Sequence, residues 1–198
     1  MGEGSKNEEG EDSIFENMRN FIQLKILKPR RYPTIPYLVG KNVYLRVIEP
    51  EDNETTFLWF LHSDPQSQTC HQPILVSPHE VVEAARKREK SPKEGDFLII
   101  RKEDNQAVGK LRYFNLNMLS RSVDLCYITA PDERQKGYAK EALRLMIRYL
   151  FTAMNLNKIY AQTASFNTAS VALLKSLDFK LDGTLRQHHL PYRPLPAY

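Results

Sequence analysis

The sequence predicts an α/β domain in which strands and helices alternate, and three neighbouring features near its middle carry that prediction. Apolar and polar residues alternate over residues 123–128, the pattern of a half-buried strand. The turn Ala130-Pro131-Asp132 ends this strand, because proline has no amide to donate to a ladder. A long amphipathic helix follows, with apolar side chains at helical spacing: Ala139, Leu143, Met146, Ile147, Leu150 and Met154.

Length and composition indicate one domain with an N-terminal extension. The chain has 198 residues, and a hydrophobic fraction of 41% is enough for a core. We expect residues 1–36 to be an acidic disordered tail plus one extra helix over 14–27. That helix either packs on the core or contacts another subunit. Residues 37–198 would form the domain itself.

Composition also argues against several classes of protein. No apolar run is long enough to span a bilayer and residues 1–20 do not resemble a secretory signal, so we expect a cytoplasmic protein. Two cysteines, Cys70 and Cys126, have neither disulfide-framework nor zinc spacing, and we expect no metal. The net charge of +4 is mildly basic without interleaved aromatic residues, which argues against nucleic acid.

The order of the remaining elements follows from local patterns. Glu49-Pro50-Glu51-Asp52 is typical of a helix start, and Ser77-Pro78-His79-Glu80 has the form of a capping box. The first predicted strand covers residues 40–48, in which Val43, Leu45 and Val47 alternate with Tyr44 and Arg46. The other predicted strands are 97–101, 107–114, 158–163 and 179–187, and the further helices cover 81–88 and 167–179. Three prolines after residue 190 make any last strand missing, non-standard or supplied by another chain.

The turn before the long helix has the chemistry of a diphosphate site. Gly137 allows an anion to approach the backbone at the helix N-terminus, where free N–H groups and the helix dipole favour negative charge. Arg134, Lys136 and Lys140 add positive charge. The spacing is neither that of a nucleoside-triphosphate loop nor that of a dinucleotide turn.

The pattern Arg134-x-x-Gly137-x-Ala139, followed by Asn167-x-x-Ser170 at the start of the next helix, resembles the GCN5-related N-acetyltransferase (GNAT) family, and most closely its ribosomal-protein N-terminal acetyltransferase branch. The resemblance implies the acyl-CoA N-acyltransferase fold, a mixed sheet of six to seven strands with helices on both faces, and acetyl-CoA as cofactor. The cofactor-binding positions that it implies are Leu125, Cys126, Tyr127, Ile128, Arg134, Gln135, Lys136, Gly137, Tyr138, Ala139, Asn167 and Ser170.

The same resemblance suggests Asp124 as the catalytic base, because this branch commonly has Glu at that position. A surface or ion-paired carboxylate is an equally weighted alternative. Other candidates for the catalytic base are the histidines, which titrate near neutral pH: His62, His71, His188 and His189. Tyr127 is expected to be a core aromatic, and Cys126 a small buried residue that carries no acetyl group.

Two positions of this sequence depart from the family pattern, and one of them is the usual general acid. Leu174 stands where the family often has the Tyr that protonates the leaving thiolate, and Asp178 stands where it usually has Gly. The leading hypothesis is acetyl transfer from acetyl-CoA to a primary amine, either a peptide N-terminus or a small amine. The alternative is a non-catalytic CoA or acyl-CoA binding module. The expected partners are the amine substrate and a second copy of the chain in a homodimer, with neither nucleic acid nor membrane.

Overall fold

The computed structural model describes residues 35–62, 76–88 and 91–186. The chain divides into two units, Met1–Ile35 and Pro36–Tyr198, and the described elements belong to the second. In chain order they are β1 Leu38–Val39, β2 Val43–Val47, α1 Asp52–His62, α2 Pro78–Lys87, β3 Gly95–Arg101, β4 Ala107–Asn117, β5 Ser122–Thr129, a 3-10 helix Pro131–Glu133, α3 Tyr138–Thr152, β6 Lys158–Tyr160 and α4 Thr168–Lys175.

The six strands form one mixed sheet in the order β1-β2-β3-β4-β5-β6. Neighbouring strands are antiparallel except β5 and β6, which are parallel. A parallel neighbour requires a long crossover, and α3 provides it between β5 and β6.

Apolar side chains cover both faces of the sheet. On one face α3 packs against the strands through Ala142, Leu143, Met146 and Leu150, all almost completely buried. On the other face a smaller cluster of Tyr44, Leu98 and Ile100 packs against Trp59 of α1. The predicted mixed sheet with helices on both faces is therefore confirmed.

β2 differs from the simple alternation that its sequence predicts, because both of its faces are covered. Val43 to Arg46 are all buried, whereas Val47 is 48% exposed. The buried Arg46 donates to both carboxylate oxygens of Asp52, at 2.6 and 2.9 Å, and Asp52 also accepts the Glu49 N–H at 2.9 Å. A buried bidentate ion pair therefore joins β2 to the first turn of α1.

The capping box predicted at the start of α2 is confirmed. The Ser77 hydroxyl accepts the Glu80 N–H at 3.2 Å, and the Glu80 carboxylate accepts the Ser77 N–H at 2.6 Å. Pro78 at the first helical position has no N–H to leave unsatisfied. The helix therefore begins at residue 78, three residues earlier than its apolar periodicity suggests.

The strand predicted over residues 179–187 is wrong for the described part, 179–186, which has no strand. Leu181 and Leu185 are 83% and 63% exposed, so their spacing does not reflect burial against a core. Residue 187 and the proline-rich segment lie outside the described residues, as do the extension up to residue 34, Cys70, His71, His188 and His189. Among the described helices, none is long and apolar enough to cross a membrane.

Candidate active site

A wedge opens along one edge of β5, beyond the point where its pairing with β6 ends. The parallel ladder runs from the pair Ser122 and Lys158 to the pair Asp124 and Tyr160. On its other edge β5 stays paired with β4 as far as Thr129. β6 stops at Tyr160, three residues before the predicted end of that strand, so the backbone of residues 125–129 has no strand partner on this side within the described part of the chain.

The predicted cofactor positions Leu125, Cys126, Tyr127 and Ile128 all lie on this unpaired stretch of β5. Strand edges that have lost a neighbour present N–H and C=O groups to any extended ligand that can take the place of the missing strand. A pantetheine arm is such a ligand, since it carries two amides. The wedge therefore has the backbone chemistry that such an arm requires.

The turn leading into α3 places a helix N-terminus at the top of the wedge. Gly137 is the N-cap of α3, with φ 84° and ψ −4°, a left-handed conformation, and no side chain caps the helix. A Cβ built on Gly137 would have no atom within 4 Å. The free N–H groups of the first turn therefore face open space, which is what a diphosphate needs at a helix N-terminus.

The charged side chains of the turn are arranged around Glu133. Its carboxylate accepts from Lys136 at 3.0 Å and from Arg101 at 2.7 Å, so the carboxylate is neutralised. Arg101 also lies over the Tyr138 ring, 5.8 Å from its centroid. The Lys136 and Tyr138 side chains thus make contacts within the protein that hold the turn in shape.

Two further predicted residues, Asn167 and Ser170, form hydrogen bonds within the protein. The Asn167 side chain accepts the Ser170 N–H at 3.1 Å and caps α4. The Ser170 hydroxyl lies 2.8 Å from the Tyr127 hydroxyl, which joins the start of α4 to β5. Tyr127 is half-buried against the main core, as expected, and burial raises the pKa of its phenol.

Asp124 lies on the face of β5 opposite α3. Its neighbours Val123 and Leu125 are buried against α3, so strand alternation directs Asp124 away from that core. Its carboxylate accepts the side-chain amide of Asn115 at 3.1 Å. No cation contacts Asp124 in the described part of the chain, so its negative charge is not neutralised there.

Cys126 is on the same face as Asp124 and is solvent-exposed, so the expectation of a buried side chain is wrong. Trp59 of α1 packs instead against residues of β2 and β3. Desolvation by the surrounding protein nevertheless raises the pKa of the Cys126 thiol, although the nearby Arg112 acts in the opposite direction. A thiol with a raised pKa is protonated at neutral pH and is a poor nucleophile.

A charge cluster next to Cys126 was not predicted from the sequence. Arg112, the cross-strand partner of Cys126, forms an ion pair with Glu94 and lies 3.7 Å from the Asp96 carboxylate through its Nε. Lys110 approaches Asp96 at 3.2 Å. The hydrogen bond from Arg112 lowers the pKa of Glu94. Acidic residues at every second position, Glu94 and Asp96, and basic ones, Lys110 and Arg112, were a signal for this cluster, but the strand register shows that they meet.

The two departures from the family pattern have different structural meanings. Leu174 is 8% exposed and packs as a core residue of α4. Asp178 has a φ of 64°, a left-handed backbone conformation that glycine adopts without strain and that Asp tolerates. The backbone at residue 178 therefore has a conformation that suits glycine, although the residue there is Asp. The His62 side chain lies outside the described structure.

Comparisons with known proteins agree with this geometry. The model of the acetyltransferase (GNAT) domain matches residues 42–180. The uncharacterized N-acetyltransferase p20 of Bacillus licheniformis is 35% identical over 92 residues, which cover 46% of this chain and 52% of that protein, so the match spans about half the length of that relative. A spermidine N(1)-acetyltransferase of Vibrio cholerae is 29% identical over 141 residues, covering 71% of this chain and 76% of that protein.

Solved structures show the same fold. A crystal structure of spermidine N-acetyltransferase from Vibrio cholerae in complex with CoA and spermine superposes with a TM-score of 0.70 at 24% identity, over 77% of this chain and 89% of that one. RimL, a ribosomal L7/L12 alpha-N-protein acetyltransferase, superposes with a TM-score of 0.70 at 13% identity, over 84% and 92% of the two chains. With its domain model matched over most of its length, this chain belongs to the GNAT acetyltransferase family and is an enzyme that depends on acetyl-CoA.

Proposed function

We propose that this enzyme transfers the acetyl group of acetyl-CoA directly to a small primary amine, in the first place a polyamine. The observation that carries the proposal is the position of Asp124. This carboxylate, with no cation beside it in the described structure, lies where β5 parts from β6. A cationic amine arriving at the wedge would meet an uncompensated negative charge there.

The chain's own groups fit the cofactor in two places. The N–H groups of the first turn of α3, behind Gly137, would bind the diphosphate. The unpaired edge of residues 125–128 would bind the pantetheine arm and orient the acetyl carbonyl. Asn167 and Ser170 would flank the same arm from the start of α4, in addition to capping that helix.

Acetyl-CoA supplies the acetyl group as a thioester. Asp124 would hold the substrate ammonium and accept a proton from it, directly or through water, so that a neutral amine can attack. A carbon–nitrogen bond then forms as the carbon–sulfur bond breaks, and the sulfur leaves as a thiolate that takes up a proton. Because Leu174 cannot donate that proton, water would supply it.

Relatives favour a polyamine over a peptide N-terminus. Spermidine N(1)-acetyltransferases are 26–29% identical to this chain over 141 residues. RimL, which acts on a protein N-terminus, is similar in fold at only 13% identity. A neighbouring spermidine acetyltransferase forms a dodecamer, and self-assembly of this chain is part of the proposal.

The test is release of free thiol from acetyl-CoA with a panel of amines: spermidine, spermine, glucosamine, an aminoglycoside and a peptide with N-terminal Ser. We expect the highest kcat/KM with a polyamine. Turnover with the peptide alone would overturn the proposed substrate class. Tight binding of acetyl-CoA with no thiol release for any amine would instead support the non-catalytic alternative.

The role of Asp124 is tested by Asp124→Asn, which keeps the shape and the hydrogen bond from Asn115. Turnover at saturating amine should fall by about two orders of magnitude, while affinity for CoA stays the same. Asp182→Asn is the matched control, because this exposed carboxylate already pairs with a cation, Lys158. If Asp124→Asn turns over at the parent rate, the base is a histidine or water.

A further inference from the structure

A second groove lies on the flank of α3 that faces the β1–β2 turn, and it extends from the turn at Gly137 along the helix to Arg148. Its volume is about 490 Å³, within the range of ligand sites. The turn approaches α3 closely, because a Cβ on Gly40 would lie 2.4 Å from the Glu141 carboxylate. That carboxylate accepts the Asn42 N–H and its side-chain amide, each at 2.8 Å, so the wall of the groove is held in place.

The groove is strongly basic. Four cations line it, Lys41, Lys140, Arg144 and Arg148, and none of them forms an ion pair with a residue of the described structure. Glu141 is the one acidic residue in the described lining; it accepts hydrogen bonds from the turn, and these outweigh desolvation and lower its pKa. Like charges four residues apart on a helix repel one another. The three on α3 therefore form a region of concentrated positive charge that no carboxylate of the described structure neutralises through an ion pair.

The spacing of these charges indicates the shape of the anion. Lys140, Arg144 and Arg148 follow one another at four-residue steps, roughly 6 Å along the helix axis. In an extended peptide, side chains on one face recur about every 6.6 Å. Carboxylates at alternate positions of an extended segment would therefore stand opposite successive cations of α3.

The lining also argues against single-stranded nucleic acid. Sites for such strands combine cations with aromatic rings on which bases stack. Among the described residues, none that lines the groove is aromatic, and Leu145 is the main apolar one.

We propose that this groove is a docking site for an extended acidic segment of a partner protein, with carboxylates at every second residue. The site is distinct from the one proposed for acetyl transfer, because Arg144 and Arg148 lie beyond the first turn of α3 and Lys41 lies on the β1–β2 turn. Gly137 and Lys140, at the N-terminal end of α3, border both regions.

The experiment measures fluorescence anisotropy of a labelled nonapeptide with glutamate at every second position and serine between, added to the full chain. We expect saturable binding that weakens as salt is raised. Arg144→Glu/Arg148→Glu should weaken it by about tenfold or more. Lys175→Glu/Lys180→Glu makes the same change of net charge on exposed residues elsewhere and should stay within about twofold of the parent.

Equal losses in the two double variants, or no loss in the first, would overturn the proposal. Tighter binding of a nine-nucleotide uridine RNA, lost in the Arg144 and Arg148 variant, would reassign the groove to nucleic acid. Affinity for CoA should not change in that variant. If it falls, and the fall disappears with 3′-dephospho-CoA, the groove belongs to the cofactor. Thiol release with spermidine, measured in parallel, reports separately on the proposed function.

Discussion

Substitution of Gly137 tests the anion site at the start of α3 most directly, because two effects of a side chain can be separated there. The first effect is on the backbone: at φ 84° an L-residue is strained by roughly 1–2 kcal/mol. The second effect is on the ligand. A Cβ at Gly137 meets no protein atom within 4 Å, so a large side chain would project into the space that the diphosphate should occupy.

Gly137→Ala and Gly137→Trp form a matched pair, since both carry the backbone strain and only Trp adds bulk. Both should lose similar stability, about 1–2 kcal/mol by urea unfolding. Gly137→Trp should also lose the charge-assisted contacts from the helix N-terminus to the diphosphate. That loss should weaken the binding free energy for CoA by about 2 kcal/mol, which is about thirtyfold in Kd. Isothermal titration with CoA measures that difference. A folded Gly137→Trp variant with the affinity of Gly137→Ala would refute the site.

Two further predictions concern the cap of α4 and the buried ion pair. Asn167→Ala/Ser170→Ala should raise the KM for acetyl-CoA. If thermal stability falls while the KM stays unchanged, the two residues act only as the cap of α4 and its link to Tyr127. Asp52→Asn removes the carboxylate charge that pairs with the buried Arg46 and should destabilise the fold by about 3–5 kcal/mol, measured by urea unfolding. Replacing both partners, as Arg46→Met/Asp52→Leu, should recover most of that loss.

Local patterns were sufficient for the parts of this protein that depend on neighbours in sequence. The capping box at Ser77 is a bond between residues three apart, so its sequence signature and its geometry coincide. The amphipathic spacing over α3 likewise predicted the residues that reach the core, including Leu143, Met146 and Leu150. The glycine-bearing turn and its resemblance to the acetyltransferases identified the family for the same reason: the motif is contiguous.

Features that join distant segments were set by tertiary structure alone. The wedge exists because β6 stops pairing at Tyr160, and an apolar pattern does not say where a ladder ends. The prediction of a strand from Phe179 onwards was wrong for the same reason. An alternating apolar pattern does not by itself supply a neighbouring strand, and Leu181 is exposed to solvent.

Charges illustrate the same division. Composition correctly described a mildly basic chain, and nothing in it distinguished the buried pair of Arg46 and Asp52 from solvated charges. Composition also gave no sign that Lys41 lies in the same groove as Arg144 and Arg148. Sequence by itself determined which residues prefer a helix, a strand or a turn, because those preferences are local. Which charges meet, and which backbone edge stays open, depended on register and packing between segments up to about a hundred residues apart, as between Asn42 and Glu141.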